Sequence, residues 1–257
     1  MKSLLYRGAT LFAVGGVLAS SLFAGSLRVL ALTDEQVAER LRNVPVFTIT
    51  DDQGAPLVST PEENSEDAAP VAGVFIDSTD AQNFLSSLRE NNPELASSVQ
   101  VVPVSLAEVY QLALSGQSSD RRLEFTFIPN QEVVETAITL LQDTGEDVSS
   151  FEGVPIFIAR SSEDGDMGYL TIQQGDQQVI PMFFTEEDLQ AMLTRLEELQ
   201  PDLANTVSIQ VINLEGLINT LERSDNPELE QILLVPPEES LEFIRSQQGQ
   251  PAQPQQN

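Results

Sequence analysis

The chain has 257 residues, 40 acidic side chains against 12 basic ones, and a formal net charge of −28. It contains no histidine, cysteine or tryptophan. That removes the usual general base, the commonest transition-metal ligand, thiol chemistry and disulfides, and so acidic a surface repels nucleic acid and anionic lipid headgroups.

Residues 1–31 have the pattern of a secretory signal peptide. Lys2 and Arg7 precede an apolar stretch from Leu11 to Phe23, and Val29-Leu30-Ala31 has the small-residue form of a cleavage site. Cleavage after Ala24 and a retained N-terminal anchor are the alternatives. The apolar stretch is short against the roughly 20 residues of a spanning helix. Cleavage after Ala31 leaves 40 acids, 9 arginines and no lysine, a net charge of −31. The expected protein is exported, and any membrane contact is peripheral at most.

Residues 32–43 read as a short N-terminal helix capped by Thr33. Residues 44–142 follow as a first repeat. Val46 to Thr50 is β-branched and aromatic, and so a strand. Asp51-Asp52-Gln53-Gly54 is a turn, Leu57-Val58 a second strand, and the Pro- and Glu-rich run from Ser59 to Pro70 a mobile loop. Val71 to Ile76 is a third strand. Asp77-Ser78-Thr79 caps a helix with Ala81, Phe84, Leu85 and Leu88 on one face, which Asn91-Asn92-Pro93 ends. Strands at Val99 to Val104 and Phe125 to Ile128 each lead into a helix, capped by Ser105 and Asn130 respectively.

Residues 143–153 form a linker, and residues 154–246 repeat the pattern. Phe75 to Tyr110 lies on Phe183 to Ile218 at a constant offset of 108 without a gap. Phe75 falls on Phe183, Leu85 on Leu193, Pro93 on Pro201 and Leu106 on Leu214. Val44-Pro45-Val46-Phe47 returns as Val154-Pro155-Ile156-Phe157, and Phe127-Ile128-Pro129 as Leu234-Val235-Pro236. The second copy places strands at Val154 to Ala159, Tyr169 to Ile172, Val179 to Phe184, Val207 to Ile212 and Ile232 to Val235. Gln174-Gly175-Asp176 marks a hairpin. Thr185 caps its first helix, and further helices run from Leu214 to Leu221 and from Glu238 to Arg245. Residues 247–257 are a Gln- and Pro-rich tail expected to be disordered. Two copies of this length are too few for a solenoid. The expected fold is α+β: two pseudo-symmetric repeats, each a mixed sheet with packed helices.

Little chemistry remains available. No glycine-rich phosphate loop follows the signal segment, and a serine nucleophile has no histidine, lysine or cysteine to activate it. No cofactor or metal is expected. Glu163-Asp164-Gly165-Asp166 offers clustered oxygens to calcium but lacks the alternating spacing of a dedicated loop, so a hairpin turn is favoured. The positive signal is apolar. Phe75, Phe84, Leu85, Phe125, Phe127, Phe183, Phe184, Met192 and Leu193 supply material for paired, adaptable grooves, although apolar helix positions are core by default.

The doubled motif resembles the Tic twenty-two family. It reads GVFIDSTDAQNFLSSL, VQVVPVSLAEVYQL and FIPNQEVV in the first copy, then IPMFFTEEDLQAML and IQVINLEGLINTL in the second. The bacterial-type leader points to the cyanobacterial form. The resemblance implies a two-winged body with paired hydrophobic pockets, located in the periplasm or the thylakoid lumen. It implies a chaperone or translocation factor for unfolded outer-membrane precursors, working with the outer-membrane barrel-assembly factor. A non-catalytic scaffold docking folded partners is the alternative.

Overall fold

The structure, a computed structural model, describes residues 31–59, 69–117, 123–163 and 166–248. The expected signal peptide, the apex of the acidic loop and the tail beyond Gln248 lie outside those residues. Helix α1 (Asp34–Leu41) begins with a reciprocal cap: Gln36 N donates to Thr33 Oγ1 at 3.3 Å, and Thr33 N donates to Gln36 Oε1 at 2.9 Å. The first half then runs β1 (Pro45–Asp51), β2 (Val58–Ser59), β3 (Val71–Phe75), α2 (Ser78–Asn91), α3 (Pro93–Ala96), β4 (Val99–Ser105), α4 (Leu106–Gln117), β5 (Glu124–Ile128) and α5 (Gln131–Asp143). Strand β1 pairs antiparallel with β3 and β4, whereas β5 runs parallel to β3.

The second half follows a similar course with one more strand: β6 (Pro155–Glu163), β7 (Asp166–Tyr169), β8 (Ile172–Gln174), β9 (Gln177–Phe183), α6 (Glu186–Leu199), α7 (Pro201–Ala204), β10 (Val207–Asn213), α8 (Leu214–Arg223), a 3₁₀ turn (Pro227–Gln231), β11 (Ile232–Val235) and α9 (Glu238–Gln248). Even the registers agree. Phe47 lies opposite Phe75 as Phe157 lies opposite Phe183. Pro45 faces Ser105 as Pro155 faces Asn213, and Ile128 pairs with Phe75 as Val235 pairs with Phe183.

Two expectations need correction. Tyr169 to Ile172 is not a strand; the chain passes there from β7, which pairs with β6, to β8, which pairs with β9. Pro93 and Pro201 do not simply close helices. Each opens a further turn, α3 or α7, because proline suits the first helical position, where no N–H is needed. The hairpin at Gly175 is as expected, with φ at 60°.

Strand alternation buries both faces of each sheet. Val46 and Val74 of the first sheet, with Ile156, Ile158, Ile180 and Met182 of the second, enter one central core together with α1, α4 and α8. The opposite faces make two flanking cores, and here the terminal helices change sides. Phe47, Ile49 and Phe75 are covered by α2 and by Phe243 of α9, from the second half. Phe157 and Phe183 are covered by α6 and by Val133, Ala137 and Leu140 of α5, from the first half. Each half therefore lends its last helix to the other. A further tie is Tyr110 on α4, whose hydroxyl donates to Glu222 Oε1 on α8 at 3.0 Å.

Candidate functional site

The second half holds an open groove of about 370 Å³ between the inward face of its sheet and α8. Ile158, Ile180, Met182 and Ile232 come from β6, β9 and β11, all at positions whose alternation points them to the central side. Leu217 of α8 and Leu229 of the 3₁₀ turn close the opposite wall. The rim is polar and already engaged. Asn213 Oδ1 accepts from Gly216 N at 2.7 Å, capping α8. Asn226 accepts from Glu228 N at 3.0 Å and donates to Glu228 Oε2 at 3.2 Å, which holds that carboxylate beside the mouth. Tyr169 stands at the entrance with the Arg160 guanidinium carbon 5.5 Å from its ring centroid.

None of the nine residues selected from the sequence lines this groove. Phe75 and Leu85 are buried in the first flanking core, Phe183 in the second, and Phe184 in the central core. These four pack within the cores and do not line the groove. Phe125 and Phe127 are half-buried against the central core, and Met192 and Leu193 against the second flanking core. Only Phe84 is exposed, at 42%, and it leans on Phe75 with ring centroids 5.5 Å apart. One sequence difference falls at the groove. Gly216, which lines it, stands where the first repeat has Glu108.

The groove suits apolar contact better than catalysis. Among the described residues it is lined by one carboxylate, Glu228, whereas two are needed for glycoside chemistry. No cluster of three acidic side chains able to hold a metal occurs among the described residues. Asp164, half of the calcium suspicion, lies outside them.

A model of the Tic22-like family matches residues 9–248. The chain belongs to that family. This Tic22-like chain is 24% identical over 207 residues to Protein TIC 22, chloroplastic, of Pisum sativum, covering 80% of itself and 74% of that protein. It is 26% identical over 211 residues to Protein TIC 22-like, chloroplastic, of Arabidopsis thaliana, again over 80% of itself but only 62% of that relative. Among solved structures, Tic22 of Anabaena, a protein of protein transport, superposes with a TM-score of 0.74 at 31% identity over 87% of this chain and all of that one. Tic22 of Plasmodium falciparum shares the fold, with a TM-score of 0.61 at 20% identity over 82% of this chain and 97% of that one.

Two carboxyl groups of this Tic22-like chain are pushed above their ordinary range at helix starts. Glu239 of α9 is raised first by the charge of Asp77, then by burial and by Glu187, Glu242 and Asp188. Asp80 of α2 is raised by burial and Asp77, against the lowering effect of the bond Asn130 donates to it at 3.1 Å. Burial and the Glu222 carboxylate push the Tyr110 phenol up in the same way.

Proposed function

We propose that this chain is an exported, non-catalytic holdase or translocation factor that binds unfolded outer-membrane precursors through apolar contact. The observation that carries the reading is the open groove built on Ile158, Ile180, Met182 and Leu217 beneath an engaged polar rim. Family membership supports it, as does the protein-transport role of the Anabaena relative. The leader pattern favours the periplasm, with the thylakoid lumen as the other destination. Among the described residues no helix is long and apolar enough to cross a membrane. Working beside a barrel-assembly factor belongs to the same reading.

The surface charge of −28 attracts basic segments and should set encounter rates, while the groove holds what arrives. Screening over about 8 Å at physiological salt weakens the first effect and spares the second. The test is suppression of aggregation of an unfolded outer-membrane barrel protein at low and high salt. Thr220→Glu places a charge at the mouth on an exposed position of α8, and should abolish protection without unfolding the chain. Met192→Glu, outside the groove, should retain it. If the wild type protects at no salt concentration, the holdase reading falls and the scaffold reading replaces it.

A further inference from the structure

Strands β4 and β10 occupy equivalent outer edges of the two sheets, each paired only through one side, to β1 and β6. In an antiparallel pair alternate residues turn both N–H and C=O toward the partner, and the residues between turn them away. Leu106 N donates to Val44 O at 2.8 Å, and Leu214 N to Val154 O at 2.8 Å. These bonds fix the parity of both ladders. On β4 the outward residues are Val99, Val101, Pro103 and Ser105; on β10 they are Val207, Ile209, Val211 and Asn213.

The two edges are finished differently. On β4, Pro103 has no N–H to offer, and the outward N–H of Ser105 is taken by Glu108 Oε2 at 2.7 Å. Proline on an edge and an occupied donor are both ways of refusing another strand. On β10 the same positions hold Val211 and Gly216, so neither device is present. Among the described residues no bond is made by the outward N–H of Val207, Ile209, Val211 or Asn213. The strand itself, VSIQVIN, has no charge and no proline. Both edge strands are uncharged, so the missing block is what distinguishes β10 from its closed twin.

We propose that the outer edge of β10 takes up an extended segment of non-native polypeptide as an added strand. The proposal rests on the holdase reading and gives it a binding mode. Main-chain pairing is indifferent to side-chain identity, which is what a protein receiving many unfolded sequences requires. An added strand would also lie beside Val207, Ile209 and Val211, which pack with Val133 and Leu140 of α5 but stay only half-buried. Charge selects the occupant. Asp202 and Glu215 flank the strand in sequence, and pairing two copies edge to edge would bring together two chains of −28 each. A neutral or basic segment meets no such repulsion.

The probe is a fluorescein-labelled peptide of about nine residues, alternating valine and threonine with a lysine at each end, the length of an ordinary strand with its flanks. Its control is the same peptide N-methylated at alternate residues, which cannot pair. The full chain should bind the first and not the second. Residue-resolved hydrogen exchange should slow at Val207, Ile209, Val211 and Asn213. Val211→Pro copies a residue that β4 already carries at the equivalent place, and should weaken binding at least about tenfold. The double variant Pro103→Val, Glu108→Gly should gain a second equivalent of bound peptide. A folded Val211→Pro that binds as tightly as wild type overturns the proposal. So does exchange that slows only at groove residues, or a wild-type dimer that Val211→Pro dissolves, since the occupant is then a second copy. Should Val211→Pro fail to fold, exchange on the wild type decides. Loss of aggregation suppression in Thr220→Glu with no protection of the β10 amides removes this proposal and leaves the holdase reading standing.

Discussion

Truncating Phe243 tests whether the exchanged helices hold the two halves together. Its ring meets that of Phe47 edge-on, with centroids 5.3 Å apart and planes at 89°. Phe47 is wholly buried, whereas Phe243 is half-buried against the first flanking core. A phenylalanine buries about 150–250 Å², so half of that is about 100 Å². At about 25 cal/mol per Å² the lost burial is about 2.5 kcal/mol, and the edge-to-face pair adds about 1 kcal/mol. Phe243→Ala should therefore cost about 3.5 kcal/mol, a large share of the roughly 5–15 kcal/mol typical of a domain. Urea unfolding should be followed by far-ultraviolet circular dichroism and by tyrosine fluorescence, because Tyr110 sits where α4 meets α8 in the central core. Both signals should shift together with an unchanged slope. A loss below about 1 kcal/mol, or two separated transitions, would refute the view that α9 of the second half completes the core of the first.

Tyr110→Phe removes the bond to Glu222 while leaving a buried ring, and should cost about 1–2 kcal/mol by urea unfolding. The phenol is raised in the folded state above its ordinary 10.0, so its stabilisation is complete below pH 10 and is lost as pH rises further. The wild type should lose stability above pH 10 faster than Tyr110→Phe, and parallel curves would contradict this. Glu239 and Asp80 are raised above the ordinary carboxyl range, so the folded state holds their protons more tightly than the unfolded state. Their contribution is present at low pH and fades as pH rises through their folded values. The urea midpoint should therefore rise as pH is lowered from neutral toward the ordinary carboxyl range, with a shallower rise in Glu239→Gln; a steady fall in the wild type would be the contrary result.

Local signals in the sequence were specific where the chemistry is local. Thr33, Asp77, Asn130 and Thr185 were each legible as caps, and each accepts from the backbone of its own helix. The repeat showed that the halves would share much of their order of elements along the chain, while the pairing of the strands into sheets was not legible in it. The destination of α5 and α9 was not legible. Periodicity shows that Val133, Ala137 and Leu140 share a face, but not which sheet that face meets. The residues chosen from the sequence differ from those lining the observed groove for a related reason. Large aromatic side chains such as Phe75, Phe183 and Phe184 make good groove walls and equally good core, and the core claimed these three. The groove is floored instead by aliphatic strand residues, Ile158, Ile180, Met182 and Ile232, that also belong to the central core. The differences between the copies carried more about function than the matches did.

The exchange of last helices also constrains the order in which this chain can become native. A polypeptide emerging N-terminus first presents β1, β3 and α2 early, yet the ring that seals Phe47 arrives only with the final helix. Until then α2 covers that aromatic face without α9, and a nascent chain ending before Glu238 lacks the ring that completes the cover. Such distant pairing slows self-assembly, since a large loop must close before the contact stabilises anything. The delay leaves the incomplete chain without the ring contact between Phe47 and Phe243 that ties its two halves together. It also makes completion of synthesis the event that commits the molecule to its final form.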